Sequence, residues 1–351
     1  MKKLFYGVLI LAVMLCISLT LVSCGAADEV VVDGVRLRLD SEKNEYTVVS
    51  LEAKSESVII IPAAYNQKPV TRIEDEAFFY SLKLTQVVIP ASVTHIGEKA
   101  FSDCRALTTV NIPESVKEIG KEAFSYCYSL GNLTFNDTIS KIGVGAFAYC
   151  RSLETVEIPD SVTELGEQAF YHCDGLKSLT VGSGVKTIEA NAFNSCYSLE
   201  SLTLGNNVTE IDFGAFKNCT SLKVLEIPDK VREIYPEAFL GCKGLIDVFF
   251  GNSVIQIGRE AFAGCKLLYE IDFPESLRSI DVLAFADCKD LEIVRFPSRL
   301  ASVGAMAFSN CASLREVSYA GTSSDWLEYL SIGSGNEAIY FANVTYEADA
   351  E

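Results

Sequence analysis

Apolar and polar positions along the chain alternate with a period that no single helix or strand produces. In SVKEIGKEAFSYCYSLGNLTF, residues 115–135, the Ala-Phe pair sets the beat. The same phenylalanine returns as Phe78, Phe101, Phe124, Phe147, Phe170, Phe193, Phe216, Phe239, Phe262, Phe285 and Phe308, each 23 residues from the last. Counting from that Phe, Ala stands at −1, Cys at +3 and Leu at +6, with branched or aromatic residues at +9, +11, +15 and +18, so the consensus reads VxxIGxxAFxxCxxLxxVxIP. Ten equal steps between eleven copies describe a solenoid, in which each unit hides its apolar side only by stacking on its neighbours. Within one turn, Leu107, Val110 and Ile112 are predicted to point inward from a short parallel strand. Pro113 then ends pairing by removing a backbone donor. Six of the eleven turns carry this proline; Gly182, Gly205 and Gly251 replace it in three, Asn136 and Ala320 in the others. Val116 and Ile119 form a second extended piece, and KEAFSYC is read as a turn or two of helix that seats Phe124 in the core. At a rise of ~4.8 Å per turn the stack is roughly 50 Å long.

The Leu-x-x-(Val/Leu)-x-Ile spacing at this period is that of leucine-rich repeats. The expected fold class is therefore α/β: a leucine-rich-repeat solenoid of about eleven 23-residue turns over residues 57–320, with a cap at each end. The AFxxC core closed by Ile-Pro resembles the BspA-like leucine-rich repeats of bacterial surface proteins over the same range. That resemblance implies a surface-tethered binding protein or adhesin with host or neighbouring-cell macromolecules as ligands; extracellular or host partners, proteins ahead of glycans, and a monomeric chain are expected. An envelope structural or glycan-binding lipoprotein is the alternative.

The period fails at both ends. Residues 34–50 alternate Val35, Leu37 and Leu39 with polar neighbours, turn at DSEKN and resume with Tyr46 and Val48, a β-hairpin pattern assigned to an N-terminal cap over residues 34–56. Five extra residues between Pro62 and Ile73 predict a loop, and Ser81 stands where later turns have Cys. At the other end, residues 321–351 hold the only tryptophan and form the closing cap, with Trp326, Leu327, Leu330 and Ile332 placed on a last strand and IYFANVTY on a final one.

Ahead of the cap, Lys2 and Lys3 precede an apolar run to Val22, the form of an export leader. Leu21-Val22-Ser23-Cys24 matches a lipobox, so residues 1–23 are read as a lipoprotein signal peptide, Cys24 as the lipidated anchor and residues 24–33 as a linker. An uncleaved span is the competing reading. No sortase signal or second span follows, which leaves the lipid on Cys24 as the expected membrane attachment.

Charge and chemistry narrow the function. The net charge of −18 falls to −20 once the two leader lysines are gone, leaving 27 basic against 47 acidic side chains, and a chain so acidic does not seek nucleic acid. Ten cysteines, Cys104 to Cys311, form one column. Placed between Phe and Leu on the core side, they are read as buried thiols rather than a disulfide ladder. A linear stack offers no tetrahedral four-ligand cluster for zinc, and the scattered carboxylates keep no calcium-loop spacing, so neither metal nor cofactor is expected. His95 and His172 occupy different columns at least three turns apart, about 14 Å of stack. No acid–base constellation is legible, and the chain is read as a non-enzyme.

Recognition remains, and it is sought where a surface column abandons its polar habit. On the strand face, Val224, Ile246, Phe249, Tyr269 and Ile293 replace Thr, Ser or Glu in four consecutive turns. On the ridge beside it, Tyr126, Tyr128, Tyr149 and Tyr197 gather with Arg151 and His172. Aromatic residues with arginine are the usual anchors of interfaces.

Overall fold

The computed structural model describes residues 29–349; the leader and Cys24 lie outside the described residues. The chain winds as a leucine-rich-repeat solenoid of about 13 turns, with three hydrogen-bonded columns running along it. The first is a ladder of short parallel strands from Val58–Ile60 to Asn343–Tyr346, in which, between its two end pairs, residues 23 apart are direct partners, as Val156 with Leu179 and Val294 with Val317. The second runs from Glu45–Leu51 through two-residue strands such as Glu118–Ile119 to Ser331–Ile332. Both ladders continue into the caps, which is why there are more turns than the eleven phenylalanines.

The third column differs from the helical turns expected of KEAFSYC. Among the described residues the repeats contain no helix. Each AF segment is instead a chain of tight turns in which alternate amides serve different partners. The N–H of Ala123, Ser125 and Cys127 close turns onto the carbonyls of Gly120, Glu122 and Phe124, whereas those of Glu122, Phe124 and Tyr126 reach Val144, Ala146 and Ala148 in the next turn. Sending every second amide outward flips positions −2 and +2 into the left-handed region, with Glu122 at φ 53° and Tyr126 at φ 60°. A helix would have used all of those donors internally and left nothing to join the turns. Gly120 at −4 is needed for closeness, since a Cβ there would lie 2.6 Å from the carbonyl carbon of Gly97.

The phenylalanines fill the space between the columns. All eleven are fully buried, and consecutive ring centroids are 4.7–5.5 Å apart with planes within 13° of parallel. The ten cysteines are free and buried. Each Sγ donates to the carbonyl of the Phe one turn back at 3.2–3.5 Å, as Cys127 does to Phe101. The column thus supplies a small apolar group with one weak donor where a buried carbonyl needs it.

At the N-terminal end the expected hairpin is present, Val35–Asp40 against Glu45–Leu51. Its second strand is also a rung of the second ladder, pairing in parallel with Lys68–Ile73. Residues 29–32, assigned to the anchor linker from sequence, form a further cap strand against Val35–Arg38. The insertion after Pro62 is a small hairpin, Ala64–Tyr65 against Lys68–Pro69, rather than an open loop. Asn66 and Gln67 at its tip both have positive φ, the geometry of a primed turn.

The C-terminal cap departs more from expectation. Trp326 and Leu327 lie on a helix, Ser323–Glu328, begun by a Thr322–Asp325 capping box. The residues IYFANVTY divide between a helix, Glu337–Phe341, and the last strand. Trp326 closes the +11 aromatic column by packing against Phe296, Tyr319 and Tyr346. Asn336, almost fully buried, ends the turn column. Its Oδ1 accepts the N–H of Phe308 at 2.9 Å while its Nδ2 donates to the carbonyls of Gly304 and Gly333 at 2.9 and 2.8 Å.

Replacing Asn336 by Leu keeps the volume and strands these backbone groups. Urea unfolding followed by circular dichroism should show a loss of about 1–3 kcal/mol; an unchanged midpoint would mean water caps the column equally well.

The thiols set a pH limit. Burial pushes Cys104, Cys242 and Cys311 from 9.0 up to about 12. Above pH 9 the unfolded chain ionises and the folded one does not, so this stability is intact below pH 9 and is lost as pH climbs towards 12. A melting temperature that holds flat from pH 8 to about 11 would contradict the thiol column.

Candidate functional site

The ridge is built by the turn column and by its junction with the first strand ladder. Position +2 is left-handed in every turn from Tyr80 to Asn310. Most turns place Asp, Asn, Ser or Gly there, the residues that tolerate this conformation. Tyr80, Tyr126 and Tyr149 do not belong to that set, and φ values of 59°, 60° and 64° on bulky side chains cost of order 1 kcal/mol or more each, while His172, at φ 56°, extends the row of rings begun by Tyr126 and Tyr149. The three rings form a stack, 4.6 Å from Tyr126 to Tyr149 and 5.1 Å from Tyr149 to His172, all within 9° of parallel. Tyr171 and Tyr197 meet His172 edge-on.

Position +4 lies alongside. Arg105, Tyr128 and Arg151 follow one another there, and both guanidinium groups lie over the Tyr128 ring, at 5.6 and 5.0 Å from its centroid. Arg151 also covers Tyr149 and pairs with Asp174 at 3.2 Å, while His172 Nδ1 meets the other oxygen of Asp174 at 3.2 Å. Burial pushes the Tyr149 hydroxyl above its ordinary value. The cluster therefore joins all six residues singled out on the ridge and adds Tyr80, Arg105, Tyr171 and Asp174. Tyr80 and Arg105 could have been found by reading the +2 and +4 columns back to the first turns.

The strand-face residues also come together, on adjacent strands. Val224–Glu226 pairs with Asp247–Phe249, that strand with Glu270–Asp272, and that with Ile293–Phe296. Phe249 is 60% exposed, its direct partner is Glu226, and Asp272 occupies its column one strand on. Val224, Ile246 and Tyr269 are exposed and Ile293 half-buried. Charged groups interleave them: Arg295 pairs with Glu270, and Glu292 accepts from Tyr269 and Arg315 at 3.3 and 2.7 Å.

His95 sits in the second ladder between Arg72 and Glu118, its pKa lowered by burial, and shares no contact with His172. Among the described residues no group of three or more His, Cys, Asp or Glu side chains converges.

A model of the BspA type leucine rich repeat region matches residues 71–200 and 186–315 in six copies. Among solved structures, a leucine rich cell surface protein from Faecalibacterium prausnitzii is 28% identical over 88% of this chain and 99% of its own, with a TM-score of 0.47. A leucine-rich-repeat protein of T. pallidum is 29% identical over 54% and 88%, with a TM-score of 0.50. The pneumococcal vaccine antigen PcpA is 20% identical over 91% and 87%, with a TM-score of 0.51, a likeness of fold. No curated protein matches the chain. With the repeat model spanning well over half of its length, the chain belongs to the BspA-type leucine-rich-repeat family.

Proposed function

We propose that the chain is a surface-tethered, non-catalytic binding protein that recognises other proteins through the aromatic–arginine ridge. The observation that carries this reading is the placement of Tyr126, Tyr149 and His172 at left-handed positions. Asn or Gly would be relaxed there, so what the rings gain by stacking is offset by the backbone they strain, and strain held on a half-exposed surface points to function. The ring faces cover one another or lie under guanidinium groups, so the ridge offers edges, hydroxyls and cations outward. Sugar binding wants free aromatic faces, and the ridge favours a protein partner over a glycan. Tethering rests on Leu21-Val22-Ser23-Cys24 and on the family's surface character: Cys24→Ala should move the protein from the membrane fraction to the soluble one or leave it unprocessed.

The ridge and the strand face are separable by paired substitutions. Tyr149→Asn relieves strain as it removes stacking, so stability should change by less than about 1 kcal/mol. Phe249→Thr restores the column's usual residue and should stay within about 0.5 kcal/mol. With a partner drawn from arrays of host-matrix proteins and glycans, Tyr149→Asn or Arg151→Ala should weaken binding on the order of ten-fold or more. If Phe249→Thr with Tyr269→Ser abolishes binding and the ridge variants leave it intact, the strand face is the recognition surface and the ridge reading fails.

A further inference from the structure

The first strand ladder is not continuous, and one interruption is chemically distinctive. The segment Gly131–Phe135 forms only a bridge backward, Thr109 with Asn132, and no pairing joins it to the next strand, Thr155–Ile158. Gly131 and Asn132 open that segment, two residues poorly suited to a strand. The turns stay joined on their other sides, by Glu118 with Lys141 and by the Phe124 N–H to the Ala146 carbonyl. They are therefore parted along one face only. A cleft of about 1040 Å³ opens there.

Its walls are two unpaired strand edges. In a parallel ladder successive residues direct their N–H and C=O to opposite sides. Leu133 and Phe135 thus point their backbone groups into the cleft from one wall, Thr155 and Glu157 from the other. Beyond the backbone the cleft is acidic, lined by Asp137, Glu154, Glu157 and Asp160 and by no Lys or Arg, although Glu154 is paired with Lys177 at 3.1 Å. Asp160 is held charged by the backbone N–H and hydroxyl of Ser183, and among the described residues Asp137 and Glu157 have no ion-pair partner. Ser161, also on the cleft, has a buried hydroxyl with no hydrogen-bond partner, as does Ser92 in the same column, whereas Ser276 reaches the preceding turn's Val254 carbonyl at 2.7 Å.

We propose that this gap receives an extended segment of a partner protein as an added strand, with basic side chains alternating with small apolar ones. Open edges on both walls supply main-chain hydrogen bonds, the common currency of strand addition. Side chains directed inward meet Leu133 and Ile158, and those directed outward meet the carboxylates. The gap adjoins the ridge, since the hydroxyl of Ser152 on its wall donates to the Tyr128 carbonyl at 2.8 Å, but it offers backbone edges where the ridge offers side chains, and the proposal stands whether or not the ridge is a recognition surface.

Hydrogen exchange tests it directly on the intact chain. The amides of Leu133, Phe135, Thr155 and Glu157 should exchange quickly in the free protein, while that of Thr180, paired in its ladder, exchanges slowly. A capped Val-Lys-Val-Lys-Val-Lys peptide, with a library varying its apolar positions, should protect those four amides ten-fold or more. N-methylation of alternate backbone nitrogens should abolish the protection, and so should Glu157→Lys, an exposed change that leaves the fold intact. Slow exchange of the four amides in the free protein would overturn the proposal. So would absence of protection by every library member at about 1 mM, equal protection by a Val-Glu peptide, or protection confined to the strands around Phe249.

Discussion

Everything in this molecule answers to one distance, the spacing between neighbouring strands. A solenoid turn meets the next through its backbone, and hydrogen bonding fixes that step near 4.8 Å. Each inward side chain must then sit one step from its own copy, so a column accepts only groups that pack at that interval. Phenylalanine does so with parallel, slightly offset rings, and the observed 4.7–5.5 Å between centroids is the strand step with a small lateral slip. Cysteine does so because a thiol is small and can donate to the carbonyl one turn back. Length variation is correspondingly forbidden inside the array and confined to its ends.

The same constraint divides legible from illegible features. The columns of Phe, Cys and Leu, the cap hairpin and the reach of the solenoid are all periodic or alternating, and periodicity is what a sequence displays. The conformation of KEAFSYC is not periodic information. Lys121, Glu122 and Ala123 open it as good helix formers, and the demand that Phe124 and Tyr126 bond to the following turn overrides that propensity. Trp326 and Leu327, expected on a strand, lie on a helix, and the Thr322–Asp325 capping box beside them is the local signal for it. Asn336 left no trace in the pattern, since its role depends on being the residue at which repetition stops.

The candidate surfaces divide in the same way. Phe249 and Tyr149 were visible as departures from polar columns, and both lie where their columns put them. What the columns could not give was backbone conformation, and that distinguishes the two. Phe249 stands on ordinary extended backbone, while Tyr126, Tyr149 and His172 occupy left-handed positions that most other turns fill with Asp, Asn, Ser or Gly. An exposed ring on a relaxed backbone is common; three stacked rings on a strained one are not.

Three independent columns also explain how a binding cleft is tolerated in the middle of the array. The first ladder is interrupted between Gly131–Phe135 and Thr155–Ile158 and again between Ser201–Thr203 and Val224–Glu226, and the second between Glu164–Leu165 and Thr187–Ile188. The turn column bridges all three places, from the Phe124 N–H to Ala146, from Phe193 to Ala215 and from Phe147 to Ala169. A break in one ladder therefore opens a local wedge instead of severing the solenoid, since the buried Phe and Cys columns pass beneath it unbroken. Strand edges, a liability on most sheets, are here held open at fixed places by a core that does not need them, which leaves them free for a partner.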